Sequence, residues 1–324
     1  MTQFQFVPAV RERVAKVVVG QDTVVERTLI SLFTGGHLLL EGMPGLAKTL
    51  LVNAVAKAVD LKFNRIQFTI DMLPSDIIGS ELLDQRTNTF YTHQGPVFTN
   101  LLLADEINRA SPKVQSALLE AMQERKVTIG STSYVLPAPF LVIATQNPVE
   151  QSGTFDLPEA QLDRFMLCHR LRYPTLEEED RILKQQLGLG LKEEKGVSGA
   201  VPKTAFDLVA QEAPVASLEN LVGAMRLVQK VHVSDAFRTQ CVEFTRRTRE
   251  HKALDFGCSP RAGLALVQTA RARAYIQDRD YVIPDDLYAL AEDVILHRIR
   301  LSYEALAEGV TGKKVLEEIL STVG

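Results

Sequence analysis

The sequence predicts an α/β domain built on a parallel five-stranded sheet, followed by an all-helical second domain. Three observations carry this. From about residue 37 to 171, short apolar segments alternate with helical patterns, the signature of a parallel sheet. The first apolar segment runs straight into a Gly-rich turn ending in Lys48-Thr49. From Thr204 to Ile319 helical patterns dominate, with no convincing alternating strand.

The strands are read at His37–Glu41, Phe63–Phe68, Asn100–Ala104, Phe140–Thr145 and Phe165–Leu171. The third and fourth are nearly all apolar, as expected of strands covered on both faces. Ser111-Pro112 is an N-cap followed by proline at the first helical position. The helix it starts, Lys113 to Arg125, puts Val114, Ala117, Leu118, Ala121 and Met122 on one face. Thr175-Leu176-Glu177-Glu178 is a capping box that opens a later helix. Two stretches interrupt the core: Leu73–Val97, with Pro74, Gly79, Gly95 and Pro96, and Val127–Leu136, which reads as a hairpin around Gly130-Ser131-Thr132. Gly188-Leu189-Gly190 and Lys192–Lys203 read as a linker. The expected organisation is an α/β core over residues 1–190, a linker over 191–203 and a helical domain over 204–324.

Composition excludes several classes. The 324 residues are 46% apolar and 23% charged, ordinary for a globular protein. A net charge of −4 gives no bulk attraction to DNA or acidic lipid. The basic cluster Arg246-Arg247-Thr248-Arg249, with Arg271 and Arg273, reads as a solvated helix face. Cys168, Cys241 and Cys258 are isolated, which argues against a disulfide framework or zinc site. Neither a signal peptide nor a membrane-spanning run is evident, so a cytoplasmic protein is expected.

The residues that carry chemistry begin at Gly42-Met43-Pro44-Gly45-Leu46-Ala47-Lys48-Thr49, with Leu50 opening the helix behind them. Strand, Gly-rich turn and helix together wrap a polyphosphate. Turn amides and the helix N-terminus aim donors at anionic oxygens, Lys48 reaches the terminal phosphates, and Thr49 can hold Mg²⁺. Ala47 stands where glycine is usual, and its side chain is tolerable if that position is already helical. Asp105 and Glu106 end the apolar run Leu101–Ala104, at the sheet edge where open α/β folds bind ligands. Asp105 would hold Mg²⁺ through water, and Glu106 would deprotonate the attacking water. Asn147 could fix that water, and it is equally a turn residue before Pro148. Arg164 is either an ion-pair partner of Asp163 or a cation reaching a neighbour's phosphates. Ser259 and Pro260 put Arg261 in the first turn of a helix, where a nearby anion would suit it.

In order, these segments resemble the AAA+ ATPases and, among them, the MoxR family. The most specific pieces are Leu40–Thr49, Ala104-Asp105-Glu106-Ile107-Asn108-Arg109-Ala110 and Glu159–Phe165. Ala47 matches MoxR-like sequences. The resemblance implies that Lys48 and Thr49 belong to Walker A, Asp105 and Glu106 to Walker B, Asn147 to sensor 1, Arg164 to the arginine finger and Arg261 to sensor 2. Gly20 and Gln21 match the segment against adenine. Leu73–Val97 looks like the helix-2 insert and Val127–Leu136 like the hairpin before sensor 1. Both mark the clade that also holds magnesium-chelatase and replicative-helicase subunits. Whether Arg261 serves its own subunit or a neighbour varies across that clade, and Arg109 is a further interface candidate. The implied protein is a ring, a hexamer, hydrolysing ATP with Mg²⁺ to remodel a client or insert a metal or cofactor, with a von Willebrand factor A-domain partner. A nucleic-acid motor and a non-catalytic switch are the competing readings. The acidic balance and the uncharged turn Gly130-Ser131-Thr132 speak against the motor.

Overall fold

The computed structural model of the protein describes residues 6–148, 153–193 and 200–322. The N-terminal tip, 1–5, and positions 194–199 of the expected linker lie outside the described residues. Two helices lead in, α1 (Phe6–Ala15) and α2 (Asp22–Thr34). Strand β1 (His37–Glu41), helix α3 (Lys48–Ala58) and strand β2 (Phe63–Gln67) follow. The first interrupting stretch folds as short α4 (Pro74–Ile78) and the antiparallel pair β3 (Gly79–Asp84) and β4 (Thr89–Gln94). After β5 (Leu101–Asp105) and α5 (Pro112–Glu124) comes the second hairpin, β6 (Lys126–Ile129) with β7 (Thr132–Val135). Strand β8 (Leu141–Gln146), one-turn α6 (Glu159–Leu162) and β9 (Phe165–Arg170) complete the α/β part.

Strands β2, β5, β8, β1 and β9 form one sheet in that order, parallel throughout. All five match the strands expected from sequence to within one residue at each end. Side-chain parity explains the two-sided burial. Leu38, Leu40, Leu101, Leu103 and Ile143 face a cluster built with α1, α2 and α3. Leu39, Leu102, Ala104, Val142 and Ala144 face a second cluster built with α5. The carboxyl edge therefore gathers the last residue of each strand: Gln67 lies opposite Asp105, and Glu41 opposite both Gln146 and Arg170.

The capping box opens α7 (Leu176–Leu187): the Thr175 amide donates to Glu178 Oε2 at 2.8 Å and the Glu178 amide to Thr175 Oγ1 at 3.3 Å. The linker differs from expectation. Strand β10 (Leu191–Glu193) pairs antiparallel with β11 (Ala200–Pro202), segments too short to register as alternation in sequence. The C-terminal part contains α8 (Ala205–Gln211), α9 (Leu218–Val228), α10 (Asp235–Glu250), β12 (Leu254–Phe256), α11 (Pro260–Ile276), α12 (Pro284–Ile295), β13 (Arg300–Leu301), α13 (Tyr303–Ala307) and α14 (Gly312–Ser321). Among the described residues it is mainly helical, with the small antiparallel pair β12–β13 and a single parallel bridge between His232 and Tyr281. Its hydrophobic cluster is continuous with the α2 side of the sheet. A buried ion pair and a neighbouring polar contact seal the join: Arg27 Nε donates to Asp293 Oδ2 at 2.5 Å, and His169 Nδ1 lies 3.0 Å from Asp293 Oδ1.

Candidate functional site

The Gly-rich turn leaves the carboxyl end of β1 and enters α3 at Lys48. Gly42 is buried, and a Cβ there would come within 2.8 Å of the Leu171 side chain. Gly45 takes φ +88°, a torsion that favours glycine. Ala47 corrects the sequence expectation. It is not helical but left-handed, at φ 54° and ψ 24°, so the turn keeps a glycine-like conformation in spite of the methyl group. Pro44, Gly45 and Ala47 are exposed, Met43, Leu46 and Thr49 half-buried, and Leu50 anchors the helix in the core. Lys48 Nζ donates to the Gly42 carbonyl at 2.9 Å. Burial lowers its pKa while the charges of Asp105 and Glu106 oppose that shift.

Asp105 is buried at the end of β5 and held from two sides. Thr145 Oγ1 donates to Oδ1 at 2.6 Å, and Arg65 donates to Oδ2 through Nη2 at 2.7 Å and Nε at 3.2 Å. Glu106 turns the chain sharply, at φ 58° and ψ 50°, which projects its carboxylate off the sheet edge. Its amide donates to the same Thr145 Oγ1 at 2.9 Å. Its Oε2 accepts from Gln67 Nε2 at 2.8 Å and pairs with Arg109 Nε at 3.0 Å. Asn147, half-buried, follows β8 along the same edge. Arg65, Gln67 and Thr145 thus support the acidic pair and were not singled out in the sequence. The signal for Thr145 is a hydroxyl inside an apolar strand, which must find a partner when buried.

Among the described residues no cluster of three or more His, Cys, Asp or Glu could cage a metal alone. The donors near Lys48 nevertheless fit Mg²⁺. That ion keeps several waters and takes few protein ligands. Each Asp105 oxygen already accepts a hydrogen bond from protein, which suits a hold through water, and Thr49 supplies a hydroxyl.

Gly20 and Gln21 line a cavity of about 570 Å³ with Tyr173, Thr175 and Glu178, bounded by α12; it reaches the turn at Glu41. Gly20 presses on Glu178, with no room for a Cβ.

Arg164 and Arg261 lie elsewhere. They share a different cavity, about 280 Å³, with Gly35, Gly36 and His37, which lead into β1. Phe165, next to Arg164, pairs with His37. Both arginines therefore flank the amino-terminal end of the sheet. The turn at Gly42–Thr49 is at the other end, about 16 Å away along a five-residue strand. The ion pair expected as one option for Arg164 is absent: among the described residues Asp163 instead accepts from Arg298 Nε at 2.8 Å and Ser259 Oγ at 3.0 Å, with Arg261 Nη1 at 4.0 Å. Arg164 is half-buried and carries no ion pair among the described residues.

Both parts of the chain match known families. The model of the ATPase family associated with various cellular activities (AAA) matches residues 37–167, and that of the AAA lid domain matches residues 246–319. Chaperone MoxR1 of Mycobacterium tuberculosis is 42% identical over 96% of this chain and 80% of its own length. Protein MoxR of Methylorubrum extorquens is 30% identical, over 89% of this chain and 85% of its own length. A crystal structure from Cytophaga hutchinsonii, described as a candidate ATPase, superposes with a TM-score of 0.87 at 42% identity, covering 99% of this chain and 95% of that one.

Proposed function

The chain belongs to the MoxR family of AAA+ ATPases and hydrolyses ATP, and we propose that it does so with Mg²⁺ at the seams of a hexameric ring. One observation carries this reading. The phosphate-binding turn and the two arginines sit at opposite ends of one sheet, so a single copy cannot bring them to the same phosphate. A second copy, docked edge to edge, can. In this reading Arg261 serves the neighbour together with Arg164, a role its place beside Arg164 in the same cavity supports.

In this reading Gly42–Leu50 cradle the triphosphate, and Lys48 leaves the Gly42 carbonyl for the β- and γ-phosphate oxygens. Gly20 and Gln21 lie against the adenine. Thr49 and Asp105 would hold Mg²⁺, which neutralises charge on the phosphate oxygens when bound. Glu106 takes the proton of the attacking water as the water oxygen bonds to the γ-phosphorus and the bond to the β–γ bridging oxygen breaks. It must first leave Gln67 and Arg109, whose contacts hold it in reserve. Asn147 orients the water, and Arg164 and Arg261 from the next copy stabilise the charge that develops.

The work done is chaperone-like: remodelling a client or inserting a metal or cofactor, in the cytoplasm, alongside a von Willebrand factor A-domain partner. Client contact is assigned to the two hairpins. Phe90 and Tyr91 on β4 are 71% and 52% exposed, Val135 on β7 is 81% exposed, and Thr92 Oγ1 meets the Tyr134 hydroxyl at 2.8 Å, joining the hairpins.

Subunit mixing tests the seam. Arg164→Ala should bind ATP and lose about 10³-fold in turnover; Glu106→Gln should bind ATP and lose about 10²–10⁴-fold. Mixed, the two should regain activity, because one kind of seam then holds an intact Glu106 and an intact Arg164. If each variant stays dead in the mixture although mixed rings form, the shared site is wrong.

A further inference from the structure

The lid carries a groove that ATP hydrolysis does not use. It lies between α10 and α11, encloses about 690 Å³, and has an apolar floor that includes Val242, Leu264 and Val267. Val242 and Leu264 are 54% and 59% exposed, so the floor faces water. Its rim is basic: Arg238, Arg246 and Arg271 are among its lining residues, and no carboxylate lines it. Arg238 and Arg246 each touch an exposed acid of their own helix, Asp235 and Glu250, and remain largely solvated. An apolar floor under an arginine rim fits an amphipathic helix with acidic flanks.

The chain itself displays such a helix. In α7 no residue is buried. Leu176, Leu183 and Leu187 are 84%, 62% and 87% exposed. Seven residues and then four separate them, which aligns them to within about 20° of one line along the helix. On the same geometry Glu179 and Asp180 flank that line, one on each side, and both are exposed. An exposed leucine stripe between carboxylates matches the groove in polarity and charge.

Position matches as well. The groove and the cavity of Arg164 and Arg261 share Leu264, so both belong to one continuous face of the first turns of α11. The first turn of α7 borders the cavity that holds Gly20 and Gln21. If the two arginines reach the neighbour's phosphates, the groove beside them meets whatever borders that neighbour's nucleotide. The helix there is α7.

We propose that the α10–α11 groove receives α7 of the adjacent copy, leucine stripe down, with Glu179 and Asp180 against the arginine rim. The assignment rests on the ring reading above and adds to it a specific docking element. Nucleotide contact with Gly20, pressed on Glu178 at the base of α7, is thereby felt by the neighbour's lid.

Crosslinking tests it. Two single variants, Leu183→Cys and Leu264→Cys, are mixed in the Glu106→Gln background with ATP and Mg²⁺ and mildly oxidised. The native cysteines are buried. Because Cys241 lies in the groove wall, Leu183→Cys mixed with chains that keep Leu264 is the control. A covalent heterodimer at least about tenfold above control is expected, as is a rise of about tenfold in the protein concentration needed for assembly when Glu179 and Asp180 are both changed to Arg. Rings that sediment normally yet give no heterodimer, or that assemble unchanged with both acids reversed, overturn the docking while leaving the ring intact. Failure of the parent chain to form any ring sinks the ring reading, and this assignment with it.

Discussion

Ala47 holds its backbone at φ 54°, a left-handed torsion that costs an L side chain about 1–2 kcal/mol. Its exposed methyl buries little in return. Ala47→Gly is therefore expected to raise the unfolding free energy by about 1 kcal/mol, after allowance for the greater freedom glycine gives the unfolded chain. Urea unfolding measures it, and a lower midpoint would contradict the strain. The motif around Ala47 was plain in the chain because its spacing is local, but its torsion was not, since alanine gives no hint of φ. The same divide runs through the acidic pair. Asp105 and Glu106 stood out by following an apolar run, whereas Arg65, Gln67 and Thr145 become their partners only through strand register, with Gln67 set opposite Asp105. Spacing along one strand cannot supply that. Arg164 was legible as a choice between two roles, and it took the side chains of Arg298 and Ser259 on Asp163 to remove one of them.

At the scale of elements, β1 contains a pH-sensitive contact away from the nucleotide. The His37 amide-side nitrogen Nδ1 accepts from the Val142 amide at 3.0 Å, and Nε2 donates to the Met122 carbonyl at 3.2 Å, an arrangement only the neutral ring can make. Burial pushes its pKa down to about 4, with the Met122 contact opposing and Arg125 assisting. Above pH 6.5 the ring is neutral folded or unfolded and its contribution is complete. As pH falls from 6.5 towards 4 the unfolded chain takes a proton that the folded one refuses, and about 3 kcal/mol is lost. Buried His297 is shifted the same way and adds to the slope. His37→Asn, which retains an acceptor for Val142, should flatten stability across this window; chemical unfolding at pH 7 and pH 5 checks it, and equal slopes in both proteins would refute the assignment. The strands themselves were legible because a doubly covered strand must be apolar along its length. The β10–β11 pair was not, being three residues on each side.

For the whole molecule, the division into an α/β core and a helical lid could be read from the change in periodicity, but not how the two sit together, which depends on contacts spanning more than a hundred residues. The exposed aromatics of β4 give a prediction at this scale. On the proposed function, Phe90→Ser with Tyr91→Ser should leave ring size unchanged in sedimentation and abolish capture of client by the Glu106→Gln ring; undiminished capture would move client contact elsewhere. Asp163 ties the α/β core to the lid. Its carboxylate is gripped by Arg298, itself buried and also bonded to the Phe165 carbonyl at 2.6 Å, and by Ser259, the cap of α11. Arg164 is the next residue along. A torque applied to the lid is thus delivered to the root of Arg164; in the proposed ring, where that arginine serves the next copy, each protomer would behave as a commutator, its own swing setting the phase in which its neighbour fires.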